Sequence, residues 1–240
     1  MMGVLALFAF ALPTKKKITI WMVGDSTMAN KSPKAYPETG WGMAFAPFFD
    51  KDVKVDNRAL NGRSTKSFIN EKRWQPILDS IQPGDYVFIE FGHNDEKVEK
   101  PAVGTSLDSF RIYLSKYVNE TRSKQGIPIL LTPITRRSFK DGVLTNSHGD
   151  YPAVVKAVAD SLKVPMIDML AMSSEYVTSL GVEKSKILYN YVDSGNANYP
   201  TGKKDDTHFS PVGAQKMAEL AASAIRDLHL PLADRLVKQR

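Results

Sequence analysis

The sequence predicts an α/β fold in three layers, with a parallel β-sheet between two layers of helices. Three observations lead there. Short apolar, β-branched or aromatic runs recur at residues 17–23, 53–59, 86–91, 127–131 and 164–169. Helix-like segments separate them, an alternation that predicts parallel strands joined by right-handed crossovers. Several of the runs break at a glycine or a turn, at Gly24, Asn61-Gly62, Gly92 and Thr132-Pro133. In open parallel sheets the ligand crevice lies outside the carboxyl ends of the strands, so those breaks are where chemistry is expected.

Bulk composition sets further bounds. A chain of 240 residues with 42% hydrophobic content fits one domain, expected over residues 14–240; at this length roughly 70% of the unfolded surface is buried. There is no internal repeat or Gly/Ser linker to mark a second domain. The absence of cysteine excludes disulfides, thiolate metal sites and a cysteine nucleophile. The formal charge of +6 is dispersed in short clusters such as Lys15-Lys16-Lys17, Arg136-Arg137 and Lys203-Lys204. No basic stripe or recognisable module points to nucleic acid, whereas a positive surface raises the local concentration of a polyanionic substrate.

Residues 3–12 form an almost unbroken apolar run, too short to span a membrane but of signal-peptide length. Residues 1–13 are therefore expected to be a signal-peptide remnant or an N-terminal arm, on a secreted or periplasmic protein. No membrane span is expected, and a monomer is favoured.

Along the chain, residues 17–23 read as a buried strand that Gly24 interrupts, placing Asp25, Ser26 and Thr27 at its end. A Pro/Lys/Ser loop over residues 30–39 follows, and then a short amphipathic helix opening at Gly40-Trp41-Gly42, with Phe48 and Phe49 near its end. The second strand, 53–59, runs into Asn61-Gly62 just before a helix start, where a presented backbone N–H is a ready anion donor. The third strand, 86–91, ends in Gly92-His93-Asn94-Asp95. Residues 106–125 are expected to be helical, with Leu107, Phe110, Ile112, Leu114 and Val118 on a broad apolar face. A fourth strand stops at Thr132, and the connection 134–149, holding Arg136, Arg137 and His148, reads as ordinary surface. Further helices are expected over 151–162, on to about residue 180 and over 212–228, with a polar loop at 189–204.

Acyl transfer by a serine needs a base, a carboxylate to orient that base, and donors for the oxyanion. His208 has a carboxylate three residues before it, Asp205, in a loop able to fold the two together, although Asp206 serves equally well by composition. Ser26 sits where a nucleophile would be useful.

These segments, in this order, resemble the SGNH (GDSL-like) hydrolase superfamily over residues 18–228. Gly-Asp-Ser-Thr, Asn61-Gly62, Gly-His-Asn-Asp and Asp205-Asp206-Thr207-His208 match four of its blocks. The chain shares with that family the lack of a Gly-x-Ser-x-Gly elbow. The resemblance implies five strands in flavodoxin-like order, with Ser26 as nucleophile, His208 as general base and Asp205 as its orienting acid. It implies an oxyanion hole made of the Ser26 and Gly62 N–H groups and the Asn94 amide. The stretches Gly-Trp-Gly, Arg-Ala-Leu-Asn-Gly-Arg-Ser, His-Gly-Asp-Tyr-Pro and Asp-x-Thr-His-Phe-Ser look most like rhamnogalacturonan acetylesterases. That likeness implies deacetylation of a cell-wall polysaccharide without cofactor or metal, and Arg63, His93, Arg136, Lys203 and Lys204 are the candidate substrate contacts. Two competing readings stand beside it. One is a metal-dependent phosphoesterase using Asp25, His93, Asn94, Asp95 and His208; the other is a non-catalytic carbohydrate-binding relative.

Overall fold

The computed structural model describes residues 16–238, so the expected leader or arm at 1–13 lies outside the described residues. The central sheet contains β1 (Ile18–Gly24), β2 (Val53–Asn57), β3 (Tyr86–Glu90), β4 (Ile127–Leu131) and, after a small hairpin of β5 (Phe139–Lys140) and β6 (Val143–Leu144), β7 (Met166–Ile167). All five central strands are parallel, in the order β2-β1-β3-β4-β7. This is the flavodoxin-like order that the resemblance implied.

Side-chain alternation divides the core into two layers. Ile20, Met22, Phe88, Ile129 and Leu131 face one side, while Trp21, Val23, Val87, Ile89 and Leu130 face the other. Because both sides are covered, β1, β3 and β4 read as continuous apolar runs and not as an alternating pattern. The second layer is closed by α1 (Thr65–Asn70), α2 (Trp74–Ser80), α3 (Leu107–Ser123) and α4 (Tyr151–Leu162). On the opposite face lie α5 (Met169–Lys184) and α6 (Pro211–Asp227), whose buried alanines allow close approach to the sheet.

Three local expectations need correction. The helix expected from Gly40 is two short 3-10 turns, Trp41–Ala44 and Ala46–Phe48. Its first N–H groups are drawn to the Ser26 turn, Trp41 to the Thr27 carbonyl at 2.9 Å and Gly42 to the Met28 carbonyl at 3.2 Å. Pro47 then supplies no donor to extend a helix. The fifth strand is only Met166–Ile167, since the Val164 N–H bonds back to the Ala159 carbonyl at the end of α4. The connection 134–149 is more than surface: Ile134, Thr135, Arg137 and His148 are buried.

Candidate active site

Sheet register brings three polar turns together. Gly24, the last residue of β1, pairs with Glu90, the last of β3, and Met22 pairs with Asn57 at the end of β2. The Asp25-Ser26-Thr27 turn therefore emerges between the chain leading to Asn61-Gly62 and the one leading to His93-Asn94. A Cβ on Gly24 would stand 2.6 Å from the Glu90 carbonyl, so glycine is required where the two strands finish. Gly62 has φ +77° and open space around it, which identifies backbone conformation as its requirement. Neither the Ser26 nor the Gly62 N–H is matched to an acceptor among the described residues. Asn94, 4% exposed, donates from Nδ2 to the Arg63 carbonyl at 3.0 Å.

Asp205 and His208 arrive from elsewhere. Their loop is pinned by isolated bridges from Phe209 to Thr39 and to Tyr189, and by the Asn190 N–H on the His208 carbonyl at 2.8 Å. Asp205 Oδ1 accepts the Thr207 and His208 N–H groups at 2.9 and 3.0 Å, a tight local turn that brings Oδ2 to 2.9 Å from His208 Nδ1. His208 Nε2 lies 2.9 Å from Ser26 Oγ, across 182 residues of sequence. Burial alone would raise the Asp205 pKa. The hydrogen bonds from the His208 side chain and backbone and the Thr207 backbone outweigh it and hold the carboxyl well below the usual range. Asp206, equal to Asp205 by composition, points away to Arg137 Nη1 at 2.8 Å and the Tyr191 hydroxyl at 2.6 Å.

The GDSL-like lipase/acylhydrolase family model matches residues 22–216. The chain belongs to this family. It is 39% identical over 227 residues to the rhamnogalacturonan acetylesterase RhgT of Bacillus subtilis (strain 168), covering 94% of this chain and 97% of that one. It is 27% identical to the rhamnogalacturonan acetylesterase of Emericella nidulans, covering 89% and 87%. Among solved structures, the Bacillus subtilis protein YxiM superposes with a TM-score of 0.77 at 28% identity, covering 90% of this chain, which spans 58% of that one. The acetylxylan esterase Axe2 of Geobacillus stearothermophilus, at 20% identity and a TM-score of 0.61, covers 94% and 98% and shares the fold. This GDSL-like protein is thus a carboxylic ester hydrolase.

Behind the serine of this hydrolase lies a buried acidic pair. The Thr27 hydroxyl is 2.9 Å from Asp25 Oδ1 and 2.8 Å from Glu90 Oε1, yet it has a single hydrogen to donate. One of the two carboxyls must carry a proton. Burial raises both carboxyls, but Asp25 also accepts the Thr27 backbone N–H at 3.0 Å, which favours its charge. The charge of Asp25 in turn pushes Glu90 further up, well above the usual range; Glu90 is thus the carboxyl that favours the neutral form and a hydrogen directed at Thr27. Its other oxygen accepts the Trp41 indole N–H at 2.9 Å. Asp25, Glu90 and His93 have donor atoms within 4.8 Å of one another, the one such cluster among the described residues. The wider set proposed for a metal does not converge on one point. Asp95 is turned to Thr65 and Thr105, and His208 to Ser26 and Asp205.

In front of Ser26 is a cavity of about 440 Å³, also lined by Gly62, His93, Asn94 and His208, with Glu38, Lys97 and Arg136 as its charged walls. Arg136 is held by Glu96 and by the His93 carbonyl. His93 is 2% exposed and packs edge-on against His148, so it presents little surface to a substrate. Arg63 and Lys203 are not brought into this cavity. Arg63 is turned to Glu71 at 3.0 Å and the Asn61 carbonyl. Lys203 lies 3.6 Å from Asp205 Oδ2 and, with Lys204, lines a neighbouring cavity.

Sequence reading missed Lys31, which it took as part of a polar loop. Its side chain, 2% exposed, donates to the Ser26 carbonyl at 2.6 Å and to Asn61 Oδ1 at 2.8 Å, and it pairs with Glu38 at 2.7 Å. One ammonium thus ties the serine turn to the Gly62 turn. Nothing in its immediate neighbourhood signals this, because the partners are 5, 30 and 7 residues away, in two other turns and at the far end of its own loop.

Proposed function

We propose that this hydrolase removes acetyl groups from an acetylated plant cell-wall polysaccharide, rhamnogalacturonan or a related pectin, through an acyl-enzyme intermediate. The observation that carries the reading is the unbroken line Ser26 Oγ, His208 Nε2, His208 Nδ1, Asp205 Oδ2, with 2.9 Å at each contact. Ser26 attacks the acetyl carbonyl while His208 takes its proton, and Asp205 holds the imidazole tautomer and stabilises the imidazolium. The oxyanion is received by the Ser26 and Gly62 N–H groups and the second Asn94 Nδ2 hydrogen. His208 then passes its proton to the departing sugar oxygen. A water gives its proton to His208 and its oxygen to the acyl carbon, releasing acetate and restoring Ser26.

Support for an acidic glycan comes from the excess of basic over acidic residues and from Arg136 on the cleft wall. The relatives named as rhamnogalacturonan acetylesterases point the same way. A polymer too large to enter a cell, together with the apolar stretch at residues 3–12, supports action outside the cytoplasm. No helix among the described residues is long and apolar enough to cross a membrane.

A fluorophosphonate probe is expected to label the wild-type protein and not Ser26→Ala, whose acetate release falls by about a millionfold. Labelling of the alanine variant would overturn the assignment. Acetate release measured over acetylated pectin, acetylated xylan and small aryl acetates tests the substrate, with pectin expected to give the highest kcat/KM.

A further inference from the structure

We infer that Lys97 is a positioning residue for ester hydrolysis, fixing and polarising the Asn94 amide so that its free N–H faces the reacting carbonyl. The inference rests on the proposed role of Asn94 as an oxyanion donor and asks what makes that side chain competent.

An asparagine amide can sit in two orientations of nearly equal shape, and only one presents hydrogen to the cleft. Here both ends of the amide face groups of one kind. Lys97 Nζ, a donor without lone pairs, lies 2.7 Å from Asn94 Oδ1. The Arg63 carbonyl, an acceptor only, receives Nδ2 at 3.0 Å. The flipped amide would set its NH2 against an ammonium and its oxygen against a carbonyl, two repulsive contacts in a side chain that is 4% exposed. Nδ2 spends one hydrogen on Arg63 and keeps the second for the cavity that Asn94, Lys97 and Ser26 share.

The ammonium also strengthens the donor it orients. Charge-assisted hydrogen bonding at Oδ1 draws electron density through the amide and makes Nδ2–H a better donor, a cooperative effect that grows where water is excluded. Local geometry keeps Lys97 available for this task. Its backbone N–H bonds to the Asn94 carbonyl at 3.2 Å, closing a turn that returns the lysine over the asparagine. The adjacent carboxylate, Glu96, is already taken by Arg136 and by His148 Nδ1 at 2.9 Å. Burial first, then Arg136 and Lys100, lower the Lys97 pKa, so the charge stands where the fold does not favour it.

The test measures kcat and KM for a neutral aryl acetate and for acetylated pectin in the full-length protein. Lys97→Met is expected to lower kcat roughly tenfold on both substrates, a fraction of the hundredfold for losing the donor itself, with KM within about twofold. Lys97→Arg, which keeps a cationic donor, restores most of the rate, and Lys97→Gln, a neutral donor, falls between. In an Asn94→Ala background, Lys97→Met adds less than about twofold, because the side chain it acts through is gone. A loss confined to KM for pectin would overturn the inference in favour of a direct contact with substrate carboxylates. Fully multiplicative losses in the double variant, or an unchanged kcat in Lys97→Met beside a hundredfold loss in Asn94→Ala, would also overturn it. An Asn94→Ala loss below about fivefold would instead remove the oxyanion role of Asn94, and this inference with it.

Discussion

Ser26, Gly62 and Asn94 follow three strands that pair side by side, whereas Asp205 and His208 sit in a loop outside the central sheet, pinned by single bridges at Phe209. The first group inherits its spacing from sheet register: once Gly24 pairs with Glu90, the turns beyond them have little freedom to separate. The second depends on a local turn, in which two backbone N–H groups clamp Asp205, and on anchors such as Asp206 on Arg137. In the proposed mechanism, substrate polarisation falls to the stiffer half and proton transfer to the half that hangs on fewer ties. Variants in the loop are expected to cost activity with little stability, and variants beneath the sheet edge to cost both.

The sharpest test of that division is Asp205→Asn. It keeps the shape of the turn but favours the wrong imidazole tautomer, and kcat is expected to fall by about 10³–10⁴ while the melting temperature changes little. A large drop in melting temperature would show that the loop carries structural load. In the stiffer half, Asn94→Ala is expected to cost on the order of a hundredfold in kcat, read in steady-state kinetics on an aryl acetate.

Lys31→Met comes next. It removes the ammonium joining the Ser26 and Asn61 turns and leaves Glu38 unpaired, so turnover drops by roughly tenfold and stability by roughly 3 kcal/mol in denaturant titration. Loss of rate without loss of stability would place Lys31 with the loop half in character.

The smallest effect is expected from Glu90→Gln. A glutamine NH2 donates to Thr27 where the protonated carboxyl did, and its carbonyl still accepts from Trp41, so activity stays within about threefold. The raised folded pKa of Glu90 gives the sign of the pH effect. Its contribution to stability is complete below the ordinary glutamate value and is lost as pH rises through the raised one. Thermal melts over a pH series are expected to show a shallower decline toward alkaline pH in Glu90→Gln than in the wild type. Parallel curves would place the shared proton elsewhere.

Much of this division was legible in the sequence. The strands advertise themselves because burial on both faces leaves β1, β3 and β4 almost wholly apolar, and the polar turns after them stand out against that background. By composition Asp205 and Asp206 could not be told apart, and only the family resemblance favoured Asp205; the physical reason is the competing pull of Arg137 and Tyr191 on Asp206. The connection 134–149 was misread because its cations look solvated in isolation. Arg137 is buried by the Ser185 hydroxyl, the Val182 carbonyl and Asp206, all distant in sequence. Arg63, picked out for its charge, was claimed by Glu71 on a nearby helix end.

Without coordinates, the alternation of apolar runs and helical segments pointed to the parallel α/β layout, and the order of the polar blocks pointed to the family and to residue types suited to the proposed acyl transfer. Those properties live in local composition: strand periodicity, turn glycines and side-chain chemistry. Only the tertiary structure decided what draws Asp206 away from His208, which lysines support the turns and which cations face the cleft. Each of those outcomes is a competition for a partner among groups far apart along the chain, and a linear sequence does not record the distances that settle it.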